Sequence, residues 1–369
     1  MTLTLKSNVR SSGNVGNVHG NSGPADFVAM LDFGRDEYYR ISGGARIDYA
    51  LNDVVAVSRA SVAPYRLRDG VMRAVGANVP RRHYLADHDT EGLMVLQGRT
   101  NFAASASSGS VTIPGASEAV ILSYRSGSAA LTAAELTLAQ TTVSGGRTFK
   151  RYTRSTSSAI SASLEVSGGA EDVQVELAMG GSFASPFAGY GGSVAMENVS
   201  LKSPIKGLLS GGTGTIVTRS IFMSDFDVDN RAFAPIAIQS AAPLGGAVLI
   251  SSRPKGGGGG TDGVWTYPDT TTWGAGTGRF NVVGNWRASF VTALGISGRG
   301  NALKIASYGQ VNSASGLGTL FGAPSEILLG GATPYANAPG RLGGIITHCI
   351  IYNRLLTDDE LLLMANQWL

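Results

Sequence analysis

From Ile160 onward, the stretch Ala159-Ile160-Ser161-Ala162-Ser163-Leu164-Glu165-Val166 alternates apolar with polar residues. A repeat of two belongs to a strand, whose successive side chains point to opposite faces, and not to a helix, whose repeat is 3.6. Upstream, Ala119-Val120-Ile121-Leu122-Ser123-Tyr124 is a second such run, and the chain from Val111 to about Ser203 keeps placing runs of this kind between Gly and Ser turns. That pattern predicts an antiparallel β-sandwich.

Composition extends the prediction to the whole chain. Its 369 residues exceed what one core normally organises, so two to four domains of roughly 50 to 200 residues are expected. With 43% hydrophobic residues, only 15% charged and 51 glycines, many short strands joined by tight turns suit it better than long helices. The predicted fold class is all-β and multidomain.

Several function classes recede on the same grounds. The net charge is +3, but Lys and Arg are interspersed with acids and the densest basic run is Pro80-Arg81-Arg82-His83, so no nucleic-acid partner is expected. Met1-Thr2-Leu3-Thr4-Leu5-Lys6-Ser7-Asn8 lacks the apolar core of a secretion signal, and no uncharged apolar stretch reaches the roughly 20 residues that span a bilayer. The expectation is a protein made in the cytoplasm without membrane insertion. Cys349 sits in the apolar run Gly344 to Tyr352, where a small buried hydrophobe is the ordinary reading and a reactive thiol the other. A single cysteine forms no intrachain disulfide.

Along the chain, residues 1–25 are rich in Gly, Asn, Ser and Val and read as an extended N-terminal arm. Residues 26–110 read as a small module. It opens with the apolar runs Phe27 to Phe33 and Glu37 to Ile41 around the turn Gly34-Arg35-Asp36, and contains the turn Asp69-Gly70. Residues 111–203 form the predicted sandwich, and 204–369 a last β domain. Thr357-Asp358-Asp359-Glu360 is a capping box, with Leu356 and Leu361 at the staple positions, so a short helix should close the chain. Leu361, Leu362, Met364, Ala365 and Trp368 are its expected packing face.

Three resemblances follow from residues quoted in order. Ser58-Arg59-Ala60-Ser61, Asp69-Gly70-Val71, Ala77-Asn78-Val79-Pro80-Arg81 and Gly98-Arg99-Thr100-Asn101 resemble a module of bacteriophage tail and virion proteins over about 45 residues. Phe149-Lys150-Arg151-Tyr152, Val173-Gln174-Val175-Glu176-Leu177-Ala178 and Gly181 to Phe187 are similar to the carbohydrate-binding-module-like sandwich that follows such modules. Gly284 to Phe290, Leu303 to Gln310, Glu326 to Gly331 and Gly343 to Arg354 resemble the concanavalin-like (LamG-like) jelly roll over about 160 residues. These resemblances imply a virion protein, a tail fibre or spike or a head-surface fibre, attached to other virion proteins by the arm. They also imply a homo-oligomer, often a trimer.

Candidate chemistry is sparse. No G-x-S-x-G, P-loop or H-E-x-x-H motif occurs, so no catalytic residue is assigned and the protein is expected not to be an enzyme. His83 and His88 with Asp87 and Asp89 could ligate a divalent metal, the alternative being an ordinary strand and turn. Asp225, Asp227 and Asp229 are spaced like the start of a calcium loop but lack its glycine and later glutamate. A solvated strand face is the other reading, and structural calcium is the one cofactor considered.

The glycine run 256–260 sits in a segment holding Asp262, Trp265, Tyr267, Asp269 and then Trp273. Indole and phenol rings stack on sugars and the two carboxylates accept hydrogen bonds from hydroxyls, so these residues are candidates for host-surface polysaccharide binding. The competing reading places Trp265 and Trp273 in a core or subunit interface. The function expected is therefore glycan binding by displayed β-sandwiches. A purely architectural decoration or collar protein and a glycan-cleaving depolymerase spike are the alternatives.

Overall fold

The computed structural model describes residues 24–85, 88–95, 99–103, 107–144, 147–177, 192–194, 197–222, 236–240, 247–253, 263–267, 280–283, 289–297, 302–307, 309–314, 323–330 and 344–367. Among them the protein is all-β and antiparallel, with two sandwiches and few helical turns.

The larger sandwich packs a ten-stranded sheet on a seven-stranded one. The first runs β26 (Gln310–Ala314), β25 (Ala302–Ser307), β24 (Ser289–Ser297), β19 (Thr213–Phe222), β28 (Gly344–Tyr352), β1 (Ala29–Asp32), β2 (Glu37–Ser42) and β3 (Ala45–Tyr49). β8 (Thr90–Val95) also pairs with β28, and β7 (Arg82–Leu85) with β8. The second runs β23 (Phe280–Val283), β22 (Gly263–Tyr267), β21 (Ala247–Arg253), β20 (Ile236–Ser240), β27 (Pro324–Leu329), β18 (Asn198–Leu201) and β4 (Val55–Ser58). A separate hairpin joins β5 (Ala63–Arg66) and β6 (Met72–Val75). Two one-turn helices, α1 (Leu51–Val54) and α2 (Ser203–Lys206), cap the sandwich edge.

β28 shows why its sequence reads as one apolar run. Leu31, Leu93, Ile216, Leu294, Ile346, Cys349 and Ile351 are buried in the core between the sheets. Ile350 and Tyr352 face the opposite way, into a cluster under α3 (Asp358–Gln367). Covered on both faces, the strand has no use for alternation. Cys349 is fully buried and its thiol is pushed up to about 12 by burial, so the small-hydrophobe reading holds. Gly92 is needed where β8 meets β28, because a Cβ there would lie 2.7 Å from the Ile346 carbonyl oxygen.

The capping box forms as expected. The Thr357 amide donates to Glu360 Oε2 at 2.8 Å and the Glu360 amide donates to Thr357 Oγ1 at 3.3 Å. Leu356 and Leu361 are both buried in the cluster beneath the helix with Met364 and Ala365. Leu362 differs from expectation: it is 37% exposed, one position off the buried face. Trp368 lies outside the described residues.

The smaller sandwich packs β10 (Gly109–Ile113), β15 (Ile160–Ser167) and β12 (Ser128–Thr132) on β13 (Leu136–Ser144), β14 (Arg147–Arg154), β11 (Val120–Arg125) and β16 (Glu171–Leu177). The alternating stretch from Ile160 to Val166 falls in β15, whose Ile160, Ala162 and Leu164 enter the core while Ser161, Ser163 and Glu165 face solvent. The chain enters through β9 (Arg99–Asn101) and leaves through β17 (Gly192–Val194), which pair with each other. This sandwich is an insertion between β8 and β18 of the larger one.

The sheets therefore do not follow the expected boundaries of 26–110 and 204–369. β1, β2, β3, β7 and β8 extend the ten-stranded sheet and β4 extends the seven-stranded one, so the presumed N-terminal module is part of the last domain. Alternation and turn residues report a strand and its nearest hairpin partner; they do not report that Met30 pairs with Ile350. The expected arm, 1–25, lies almost wholly outside the described residues.

Candidate functional site

The motifs carrying the first resemblance meet in a buried clamp. Glu197, which directly precedes β18, accepts from Arg59 Nη1 at 2.5 Å and from Arg81 Nη1, all three side chains being at most 1% exposed. Arg59 also donates from Nε to the Ser61 carbonyl oxygen at 2.9 Å and from Nη2 to that of Gly76 at 2.7 Å. Asn78 adopts a left-handed φ of 60°, and its Oδ1 accepts from the Arg59 amide at 2.9 Å. Burial pulls Arg81 down to about 10, with Glu197 opposing that shift, so it remains charged at neutral pH. These residues tie the chain before the insertion to the chain after it. They are structural.

Beside the clamp, where the β5–β6 hairpin meets β2, β3 and α1, lies an open pocket of about 420 Å³. Its lining includes Tyr38, Tyr49, Tyr65, Asn52, Asp36 and Arg82. Asp36 stands in the β1–β2 turn with φ 62°, and its carboxylate accepts from the Tyr38 hydroxyl at 2.8 Å and pairs with Arg82 Nη1 at 3.0 Å. Arg82 in turn donates from Nε to the Phe33 carbonyl oxygen at 2.6 Å, from Nη2 to that of Gly34 at 3.0 Å, and to Glu91. That fork fixes the turn and with it Asp36, whose side chain stays 57% exposed at the pocket. Burial, and after it the bond to Asp36, raises the Tyr38 phenol well above its usual range, so it acts only as a donor.

Tyr49 and Tyr65 are half-buried, with part of each side chain open to solvent. Chemically the pocket offers aromatic rings, an exposed carboxylate held by an arginine, and the Asn52 amide. It is suited to a small polyhydroxylated ligand whose C–H faces lie on rings and whose hydroxyls bond to fixed polar groups. Among the described residues, Asp36 is the single carboxylate in its lining.

The residues singled out in the sequence fall elsewhere. Trp265 and Tyr267 lie on β22, in backbone register with Ser251 and Leu249 of β21, while their side chains are outside the described set. Asp262, Asp269 and Trp273 lie outside the described residues, as do Asp225, Asp227 and Asp229. His83 is turned inward: it is 4% exposed and its Nδ1 accepts from the Arg66 amide at 3.2 Å. Burial, then Arg81 and Arg66, lower its pKa to about 3, so it is a neutral core imidazole. Asp89 instead accepts from the Tyr84 hydroxyl at 2.7 Å and pairs with Arg68, and Asp87 lies outside the described residues. Among the described residues no group of three or more His, Cys, Asp or Glu is placed to hold a metal.

Sequence reasoning missed the tyrosine pocket. Tyr38 lies in the run Glu37 to Ile41 and Tyr65 shortly before the Asp69-Gly70 turn, but nothing in the sequence of either stretch tells that the two strands converge.

No family model and no curated protein matches the chain. Among solved structures, it is similar to the carbohydrate-binding module CBM40 of a Ruminococcus gnavus intramolecular trans-sialidase, at 18% identity and a TM-score of 0.33, over 44% of this chain and 86% of that one. Domain 4 of AbnA, a GH43 extracellular arabinanase from Geobacillus stearothermophilus, aligns at 15% identity and a TM-score of 0.32, over 46% of this chain and 73% of that one. A leech intramolecular trans-sialidase aligns at 14% identity and 0.32, over 44% and 25%.

Proposed function

We propose that this chain is a bacteriophage virion protein that displays its β-sandwiches, the larger of them a concanavalin-like jelly roll, to bind host-surface glycans without cleaving them. The observation that carries the binding is the open pocket lined by the half-buried Tyr49 and Tyr65 and by the Asp36 carboxylate, which the buried Tyr38 hydroxyl and Arg82 hold in place. The virion assignment is supported by the ordered motifs around Arg59, Asn78 and Arg81, which here make one buried unit. Hydrolysis of a glycosidic bond ordinarily uses two carboxyl groups about 5 to 9.5 Å apart. A pocket with one carboxylate in its lining supports holding a sugar and not cutting it. Weak sites on many copies of a particle give firm attachment through multivalency.

The test is binding of purified host polysaccharide to the full chain, with reducing ends assayed in parallel. Tyr49→Ala with Tyr65→Ala should weaken binding about tenfold, two ring contacts each contributing about 0.7 kcal/mol. Trp265→Ala with Trp273→Ala forms a second arm, which separates the pocket from the 254–273 segment. Undiminished binding by the tyrosine variant rejects the pocket. Release of reducing ends rejects the non-catalytic reading in favour of a depolymerase. Absence of binding, with normal assembly into particles, leaves the architectural role.

A further inference from the structure

The two edges of the four-stranded sheet in the inserted sandwich are built differently. β16, at one end, reads Glu-Asp-Val-Gln-Val-Glu-Leu and carries three acids. β13, at the other end, reads Leu-Thr-Leu-Ala-Gln-Thr-Thr-Val-Ser, with no charge, proline or glycine, and among the described residues pairs with β14 alone. A free edge presents unpaired N–H and C=O groups, and proteins that must not self-associate commonly guard it with charges or proline. The outer edge of β16 is covered by the segment that follows β9, the Phe102 amide donating to the Val175 carbonyl oxygen at 2.8 Å and the Val175 amide donating to Asn101 Oδ1 at 3.0 Å, whereas β13 has no charge to guard it.

β13 also exposes large apolar side chains: Leu138 is 49% exposed and Val143 69%. Five positions apart, they would face opposite ways on a regular strand. The register shift between Leu138 and Gln140 places Leu138 opposite Tyr152 and Val143 opposite Thr148, and those two share one face of β14. The bulge thus gathers both apolar groups on one side of an open edge.

We propose that β13 is a self-pairing edge, through which two copies of this chain join by antiparallel β13–β13 addition about a two-fold axis at Thr141. With Ala139 left out of the ladder as the bulge residue, this register sets Leu138 against Val143 of the second copy, Gln140 against its Thr142, and Thr141 against itself. Each contact then occurs twice, as a two-fold interface requires. Like faces like, apolar on apolar and amide or hydroxyl on hydroxyl, and no charge is desolvated. A charged partner strand would find nothing on β13 to complement it, so a second copy is the occupant that fits.

Sedimentation of the full chain over a concentration series tests this. Wild type should reversibly form dimers, or higher assemblies containing this contact. Thr141→Lys sets two like charges face to face at the axis and should weaken association about tenfold or more, while Thr141→Ser should not. Thr141 is exposed, so at concentrations where wild type is monomeric the thermal melting of the lysine variant should match it. Amide exchange within residues 136–144 should slow as wild-type concentration rises. The proposal is overturned by a wild type that stays monomeric at hundreds of micromolar, by a lysine variant that associates like wild type, or by exchange of β13 amides that ignores concentration.

Discussion

The two sandwiches reach the same kind of layered core by opposite routes along the chain. The inserted one uses consecutive strands from Gly109 to Leu177, and all of their pairings close within that span, from the hairpin pair Leu136 with Arg154 to the longer-range pair Val120 with Leu177. The larger one closes only when its two ends meet: one edge of β28 is shared between β1, at Ala29 to Asp32, and β8, at Leu93 to Val95. Local pairing involves small loops, whereas joining Met30 to Ile350 closes nearly the whole chain. The inserted sandwich should therefore fold first and hold its own core. The larger one depends on whatever fixes the two crossing points of the insertion, and that is the Arg59–Glu197–Arg81 clamp.

Breaking the clamp should give the largest effect. Glu197→Ala leaves two arginines buried without their carboxylate, a loss of roughly 3 to 5 kcal/mol. In a denaturation series followed by amide exchange, protection should fall in β18, β19 and β28 while β11, β14 and β15 keep theirs. Equal loss in both sandwiches would show that they unfold as one unit and would remove the contrast.

The same contrast explains what was legible in the sequence. Ile160, Ala162 and Leu164 announced the inserted sandwich because one face of β15 is dry and the other wet. The closing helix was legible from Thr357 and Glu360, since a capping box is complete within four residues. The larger domain was misdivided because β28 is covered on both faces and so carries no alternation, and because its partners β1 and β8 look like members of a local module. The tyrosine pocket was illegible for a related reason: Tyr38 and Tyr49 are cross-strand partners in the β2–β3 hairpin, but Tyr65 joins them only through the packing of a separate hairpin.

A core truncation in the insertion sharpens the comparison from the other side. Leu122 is fully buried at the centre of that core. Leu122→Ala removes buried methyl groups and leaves a cavity, costing about 3 kcal/mol. That loss should appear in exchange of β10 to β16 alone, with β19 and β28 unchanged. A matching loss in the larger sandwich would mean that stability passes through the β9–β17 ribbon.

Acid separates the two sandwiches without any substitution, because all four histidines lie outside residues 99–194 and one of them, His83, is buried in the larger domain. Its folded-state pKa is lowered to about 3, chiefly by burial, against 6.5 for the free side chain. The unfolded chain therefore takes up a proton near pH 6.5 that the folded chain refuses until near pH 3. Stability from this group is fully present above 6.5 and is lost progressively as pH falls towards 3, the unfolded state binding more protons throughout that window. Between pH 6.5 and 5 the loss amounts to about 2 kcal/mol. Melting followed across that range should lower the transition of the larger sandwich and leave that of the inserted one in place, and His83→Gln, which keeps an acceptor for the Arg66 amide, should flatten the profile. If the variant keeps the wild-type slope, the acid sensitivity arises elsewhere and His83 is not the group that sets it.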